Sequence, residues 1–126
     1  MLANKEAIAT IAVKDLKVAG KFYAETLGLK RTGPEQPGTL TFSTAKGQLM
    51  IYESQFARTN QATALTWDVG SEVESIVGAL KTRGVTFEHY DNLPDIKREG
   101  DIHICGSMKV AWFKDPDGNI HSLVGG

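Results

Sequence analysis

Glu99, Asp101 and His103 stand at alternate positions in the last third of the chain, and on an extended strand alternate side chains share a face. With His89 alongside, that face would gather two carboxylates and two imidazoles, a set able to hold a divalent cation or to relay a proton. A solvated polar edge is the plainer reading, because nothing in the sequence fixes their geometry. Cys105, the single cysteine, has no adjacent His or Lys to depress its thiol pKa, so a nucleophile is not indicated. Glu25 and Glu74 belong most simply to exposed helix faces. His121 has the opposite parity to Ser122 and is expected in a structural or interface role.

The element that must position these groups is the stretch Phe113 to Leu123. Asp115-Pro116-Asp117-Gly118 carries Pro and Gly where a tight turn needs them. The apolar runs Val110 to Phe113 and Ile120 to Val124 flank it, which predicts a β-hairpin. An earlier hairpin is predicted from Thr39 to Thr44 and Gln48 to Tyr52 around Lys46-Gly47.

Upstream, Ala7 to Val13 reads as a strand, and Asp15 as the N-cap of a helix over Leu16 to Thr26 whose face is Leu16, Ala19, Phe22, Tyr23 and Leu27. Gly28 is its stop signal. Ala62 to Val69 is again a strand. Ser71-Glu72-Val73-Glu74 has the form of a capping box, and Val73, Ile76, Val77 and Leu80 form the buried face of the helix it opens. Gly84 ends that helix, and Val85 to Tyr90 is the next strand. Val13 and Val69, Asp15 and Ser71, and Gly28 and Gly84 are each 56 residues apart. Strand end, cap and stop recurring in register predict a duplicated βαβββ unit, about 5–54 and 61–125, within one domain spanning 1–126. The segment from Gly84 to Met108 has no counterpart. Its polar part, Asp91 to Gly100, is a candidate lid or surface excursion, and Asp101 to Cys105 can pair with Met108 onward through Gly106-Ser107.

With 126 residues, 41% of them hydrophobic, the chain has the makings of one ordinary core. A net charge of −1 with interspersed signs offers no basic stripe for nucleic acid. No apolar run approaches the roughly 20 residues that span a bilayer, and a lone cysteine fits a reducing compartment. A cytoplasmic protein is expected.

Three stretches carry a resemblance to a known family: Ala12-Val13-Lys14-Asp15-Leu16, then Lys21-Phe22-Tyr23-Ala24-Glu25-Thr26-Leu27-Gly28-Leu29, and Phe113 to Leu123. In these the chain resembles the vicinal oxygen chelate superfamily, which includes glyoxalase I, extradiol dioxygenases, fosfomycin-resistance transferases and bleomycin-resistance proteins. The resemblance implies an α+β fold in which tandem βαβββ modules form curled mixed sheets around a concave cavity, and a homodimer. It does not imply one activity, since one scaffold hosts many chemistries.

Metal-using members of that family hold the ion on four strand positions, which by resemblance fall here on Ile8, Met50, Ala64 and Ser122. Ile and Ala supply no lone pair, Met is a soft donor, and a neutral Ser cannot hold a divalent ion alone. Glu53 is an acid close to these positions, and Glu53 with His103 is the alternative set. No metal and no other cofactor is expected. The parity set by these positions places Thr10, Met50, Tyr52, Thr66, Met108, Val110, Trp112 and Ser122 on the cavity side, with Thr10 and Thr66 as repeat partners. The resulting groove is apolar and aromatic with a few hydroxyls, suited to a flat organic ligand. For Tyr52 and Trp112, lining a ligand and filling a core are both open, and Trp67 has core parity. The expected function is metal-independent binding of a small apolar or aromatic molecule, as in bleomycin-resistance-type sequestering proteins. The alternative is a glyoxalase-like lyase or dioxygenase with non-standard ligands.

Overall fold

A computed structural model describes residues 1–126, the side chains of Pro34 and Glu35 excepted. The chain divides into two compact units, residues 1–60 and 61–126.

In the first unit, strand β1 (Ala9–Val13) leads to Asp15, whose carboxylate accepts from the amides of Lys17 at 2.8 Å and Val18 at 3.3 Å. That cap starts helix α1 (Leu16–Lys21), as its sequence position requires. The predicted helix does run to Thr26, but Phe22–Thr26 is wound as a π-helix. There Leu27 donates to the carbonyl of Phe22, five residues back. The wider turn sets Tyr23 fully inside, its ring 6.1 Å from that of Phe42. Gly28 then takes φ +75°, the left-handed conformation that ends helices. Strands β2 (Lys30–Gln36), β3 (Thr39–Ser43) and β4 (Gln48–Glu53) follow. The sheet order is β1-β4-β3-β2, with β1 parallel to β4 and the other pairs antiparallel.

Period-two alternation sorts this sheet. Ile11, Leu49, Ile51 and Phe42 are buried on the face under α1, which supplies Ala19. Each large side chain buried here contributes roughly 1.5–3 kcal/mol. On the other face Thr10 pairs with Met50 and Met50 with Thr41, while Ala12 pairs with Tyr52 and Tyr52 with Thr39.

The second unit repeats the plan with an insertion. Strand β5 (Thr63–Gly70) precedes helix α2 (Val73–Thr82), which buries Val73, Val77 and Leu80 and leaves Ile76 half-buried. The predicted capping box does not form. Glu72 is the N-cap and makes no side-chain cap hydrogen bond. Glu74 reaches instead to Lys109, because a cation on the neighbouring strand competes for its carboxylate. The strand predicted over Val85 to Tyr90 shrinks to β6 (Phe87–Glu88).

The unmatched segment folds into a hairpin of β7 (Lys97–Glu99) and β8 (Ile102–Cys105), and β8 turns through Gly106-Ser107 into β9 (Met108–Lys114) with Cys105 opposite Met108, as expected. Strand β10 (Ile120–Gly125) closes the unit, giving the order β5-β10-β9-β8-β7 with β5 parallel to β10. The Asp-Pro-Asp-Gly turn is held by Asp115, whose buried carboxylate accepts from the amides of Asp117 and Asn119 and from the Asn119 side chain. Both sheets are mixed and open, consistent with the α+β class expected.

Candidate functional site

The second sheet presents the richer open face. Registers link Thr66 to Ser122, Ser122 to Trp112 and Trp112 to Glu88 in one transverse row. A second row runs from Asp68 through Val124 and Val110 to His103. Thr66 Oγ1 and Ser122 Oγ lie 2.7 Å apart. One proton is spent inside that pair and the second is left for another acceptor. Ser122 is buried and Thr66 exposed, so the pair offers its outward side through Thr66.

Beside this row stands an aromatic cluster that the sequence pattern did not assemble. Trp112 meets Tyr90 edge to face with ring centres 5.1 Å apart, and meets His103 the same way at 4.7 Å. Its origin is a division of β9. One edge pairs with β10 throughout, while the other is shared by β6, opposite Phe113 and Trp112, and by β8, opposite Val110 to Met108. Tyr90 leaves β6 at the seam between them, where the ladder gives its amide no strand partner. His103 Nε2 accepts that amide at 2.9 Å.

This bond fixes the tautomer, since in the neutral ring the proton then sits on Nδ1. Burial holds the His103 pKa below the ordinary histidine range, against a smaller opposing pull from the nearby Val110 carbonyl. Nδ1 itself makes no well-formed hydrogen bond among the described residues. Burial, and next the charge of Glu88, raise the Tyr90 phenol.

The alternating acid–base set is dispersed. Gly100, at φ +62°, and Asp101 form the turn between β7 and β8, so Glu99 and His103 lie on different strands. A tight turn resets the alternation that a continuous strand would have kept. Asp101 accepts from His89 and from Lys81, each at 2.7 Å, and these bonds hold its carboxyl below the usual carboxylate range. Arg98 clasps Asp91 with two nitrogens and donates to the Gly100 carbonyl, so the segment after Tyr90 is tied down by ion pairs. Cys105 is exposed at the β8–β9 turn. His121 is fully buried on the helix side, stacked on Phe113 at 4.8 Å, and accepts from the Trp67 indole at 3.0 Å through Nδ1. Burial lowers its pKa to about 4. A structural role for His121 follows, and Trp67 lies on that same packed side.

Thr66, Val110, Trp112 and Ser122 share the open face of the second sheet with Met108, which is exposed at its end. Thr10, Met50 and Tyr52 share the corresponding face of the first. Ile8 lies just outside β1, and Ala64 sits where pairing slips between Ile120 and His121. Glu53 ends β4 in the first unit, whereas His103 lies in the second and has Nε2 engaged. Among the described residues no three His, Cys, Asp or Glu side chains gather as a set that could hold a metal ion, and no helix is long and apolar enough to cross a membrane. Sequence reasoning missed Tyr90. Its signal, an aromatic residue ending a short strand before a polar excursion, is too common to single out.

The family model described as the Glyoxalase/Bleomycin resistance protein/Dioxygenase superfamily matches residues 7–122. Among solved structures, the chain is similar to lactoylglutathione lyase from Agrobacterium tumefaciens at 16% identity and TM-score 0.72, covering 100% of this chain and 96% of that one. It is similar to the fosfomycin resistance protein FosX from Mesorhizobium loti at 10% identity and TM-score 0.69, covering 100% and 94%. An integron cassette protein from the mobile metagenome of the Halifax Harbour sewage outfall aligns at 18% identity and TM-score 0.70, covering 97% and 98%. At such identities these likenesses establish the fold. No curated protein matches the chain.

Proposed function

The chain belongs to the glyoxalase, bleomycin-resistance and dioxygenase superfamily, and on that footing we propose that it binds a flat, largely apolar organic molecule without a metal ion. One observation carries the reading: Ser122, at a position where metal-using relatives keep a ligand, is engaged in a hydrogen bond with the Thr66 hydroxyl and stands opposite Trp112. The other three such positions hold Ile8, Met50 and Ala64, whose donor chemistry does not suit Zn, Fe, Ni or Mn. No metal-assisted step is therefore derived for this chain.

Binding would work by stacking and a single polar anchor. The Trp112 indole, braced at right angles by Tyr90 and His103, offers a face to a planar ring. The hydroxyl proton left over from the Thr66–Ser122 pair is available to a carbonyl or phenolic oxygen on that ring. Thr10, Met50 and Tyr52 line the open face of the first unit's own sheet. A homodimer and a cytoplasmic setting belong to it as well, the former by family resemblance and the latter by the lone Cys105.

The test is elemental analysis of protein purified without chelator or affinity metal, with native mass spectrometry of the same sample. Substoichiometric metal and a dimer mass are expected, with any copurified organic molecule as a direct lead. One tightly held transition metal ion per chain would overturn the reading.

A further inference from the structure

The helix side of the first sheet carries a feature unrelated to the open faces. A pocket of about 330 Å³ opens along the seam between α1 and the strands beneath it. Leu16, Gly20 and Ala24 line it from the helix, and Leu40 lies across from them. Leu40 pairs with Ile51 and Arg31 with Phe42, so both strand residues lie on the helix-covered face, opposite Thr10, Met50 and Tyr52.

Two observations define what it would take. The lining is chiefly apolar, and at its floor the helix closes on the sheet through a glycine: a Cβ at position 20 would come within 2.8 Å of Leu40 Cδ1. Glycine inside a helix costs about 1 kcal/mol relative to alanine. The rim is cationic. Lys17 and Lys21, one helical turn apart, and Arg31 from β2 all border the pocket, and none of the three forms an ion pair among the described residues. Three unpaired cations around a small apolar recess, in a chain whose net charge is −1, are complementary to an anion on a short hydrocarbon body. The volume lies at the lower end of small-molecule pockets, roughly 300–1,000 Å³.

We infer that this pocket is a second binding site, for a free amphipathic carboxylate whose chain lies against Leu16, Ala24 and Leu40 while its head is held by Lys17, Lys21 and Arg31. Because it sits on the opposite side of the sheet from the proposed ligand face, it stands or falls independently of that reading.

The test is titration of the ¹⁵N-labelled full chain with decanoate, with decanol as a neutral control, followed by amide shifts. Decanoate is expected to move Gly20, Ala24, Arg31 and Leu40 saturably. Binding should weaken with added salt and fall at least about fivefold in the Lys17→Glu/Lys21→Glu variant, as loss of surface charge pairs implies. Decanol should bind several-fold more weakly. Equal binding of decanoate and decanol would overturn the inference. So would shifts confined to the Thr66–Trp112 face, which would leave the first reading intact and remove this one. Attachment to anionic phosphatidylglycerol vesicles with no response to monomeric decanoate would also overturn it, marking the patch as a membrane contact.

Discussion

On the helix side of the first sheet Leu49 faces Phe42; at the matching place in the second, His121 faces Phe113. On the open side Met50 stands between Thr10 and Thr41, and its counterpart Ser122 stands between Thr66 and Trp112. The two units thus keep one register and exchange its chemistry. In the first, the packed pair is apolar and the open row is aliphatic with threonines. In the second, a histidine enters the packed row, made tolerable by the Trp67 indole that donates to it, and an indole appears on the open row. The backbone plan tolerates such exchanges because paired ladders depend on main-chain groups, whereas each face asks only for volume and satisfied polar atoms.

The strongest challenge to this equivalence is to remove the matched aromatic from each unit. Phe42→Ala and Phe113→Ala, both at essentially buried positions, are each expected to cost about 3–5 kcal/mol, read by urea denaturation. A loss in one unit several-fold smaller than in the other would show that the packed rows are not equivalent.

Acid separates the units next. A histidine in the unfolded chain protonates near 6.5 and His121 in the fold only at about 4. Between those values the unfolded state binds more protons, so stability falls as pH drops through this window and levels off below it. The loss is about 3 kcal/mol, with His103 acting in the same direction. Asp101, whose pKa is lowered by Lys81 and His89, contributes only at more acid pH, once its unfolded-state carboxyl would protonate. Thermal melts from pH 7 to 4 should show the slope, and His121→Gln should flatten most of it; an unchanged slope would place the acid sensitivity elsewhere.

Smaller effects concern the open faces. Trp112→Ala should weaken binding of a planar aromatic probe by about tenfold, the scale of one lost stacking contact. Thr41→Ala, at the matching position, should cost less. Equal losses, measured by isothermal titration calorimetry, would dissolve the distinction. The helix starts give the finest contrast. Asp15→Ala should cost about 1 kcal/mol through loss of its cap, while Ser71→Ala should leave the melting temperature nearly unchanged, since no side-chain cap bond forms at α2.

Much of the fold was legible because it rests on local rules. The Asp15 cap, the Gly28 stop, the Asp-Pro-Asp-Gly turn and the return of Cys105 onto Met108 are each written in a few adjacent residues. The capping box failed because Lys109, 35 residues away from Glu74, competes for its carboxylate. The alternating Glu99, Asp101 and His103 failed because a two-residue turn resets parity. The open-face residues were found by parity, yet Tyr90 was not, because its place depends on two short strands sharing an edge of β9.

By itself, then, the sequence determined the tandem βαβββ plan and the family. Those follow from residue type and spacing, which are local and additive. Only the tertiary structure decided that Ser122 and Thr66 share a hydrogen bond, that His103 caps the stray Tyr90 amide behind Trp112, and that Gly20 meets Leu40 beside a recess ringed by Lys17, Lys21 and Arg31. Each depends on groups far apart in the chain meeting at hydrogen-bond or van der Waals distance, and that information appears only when strands pair and a helix closes over them.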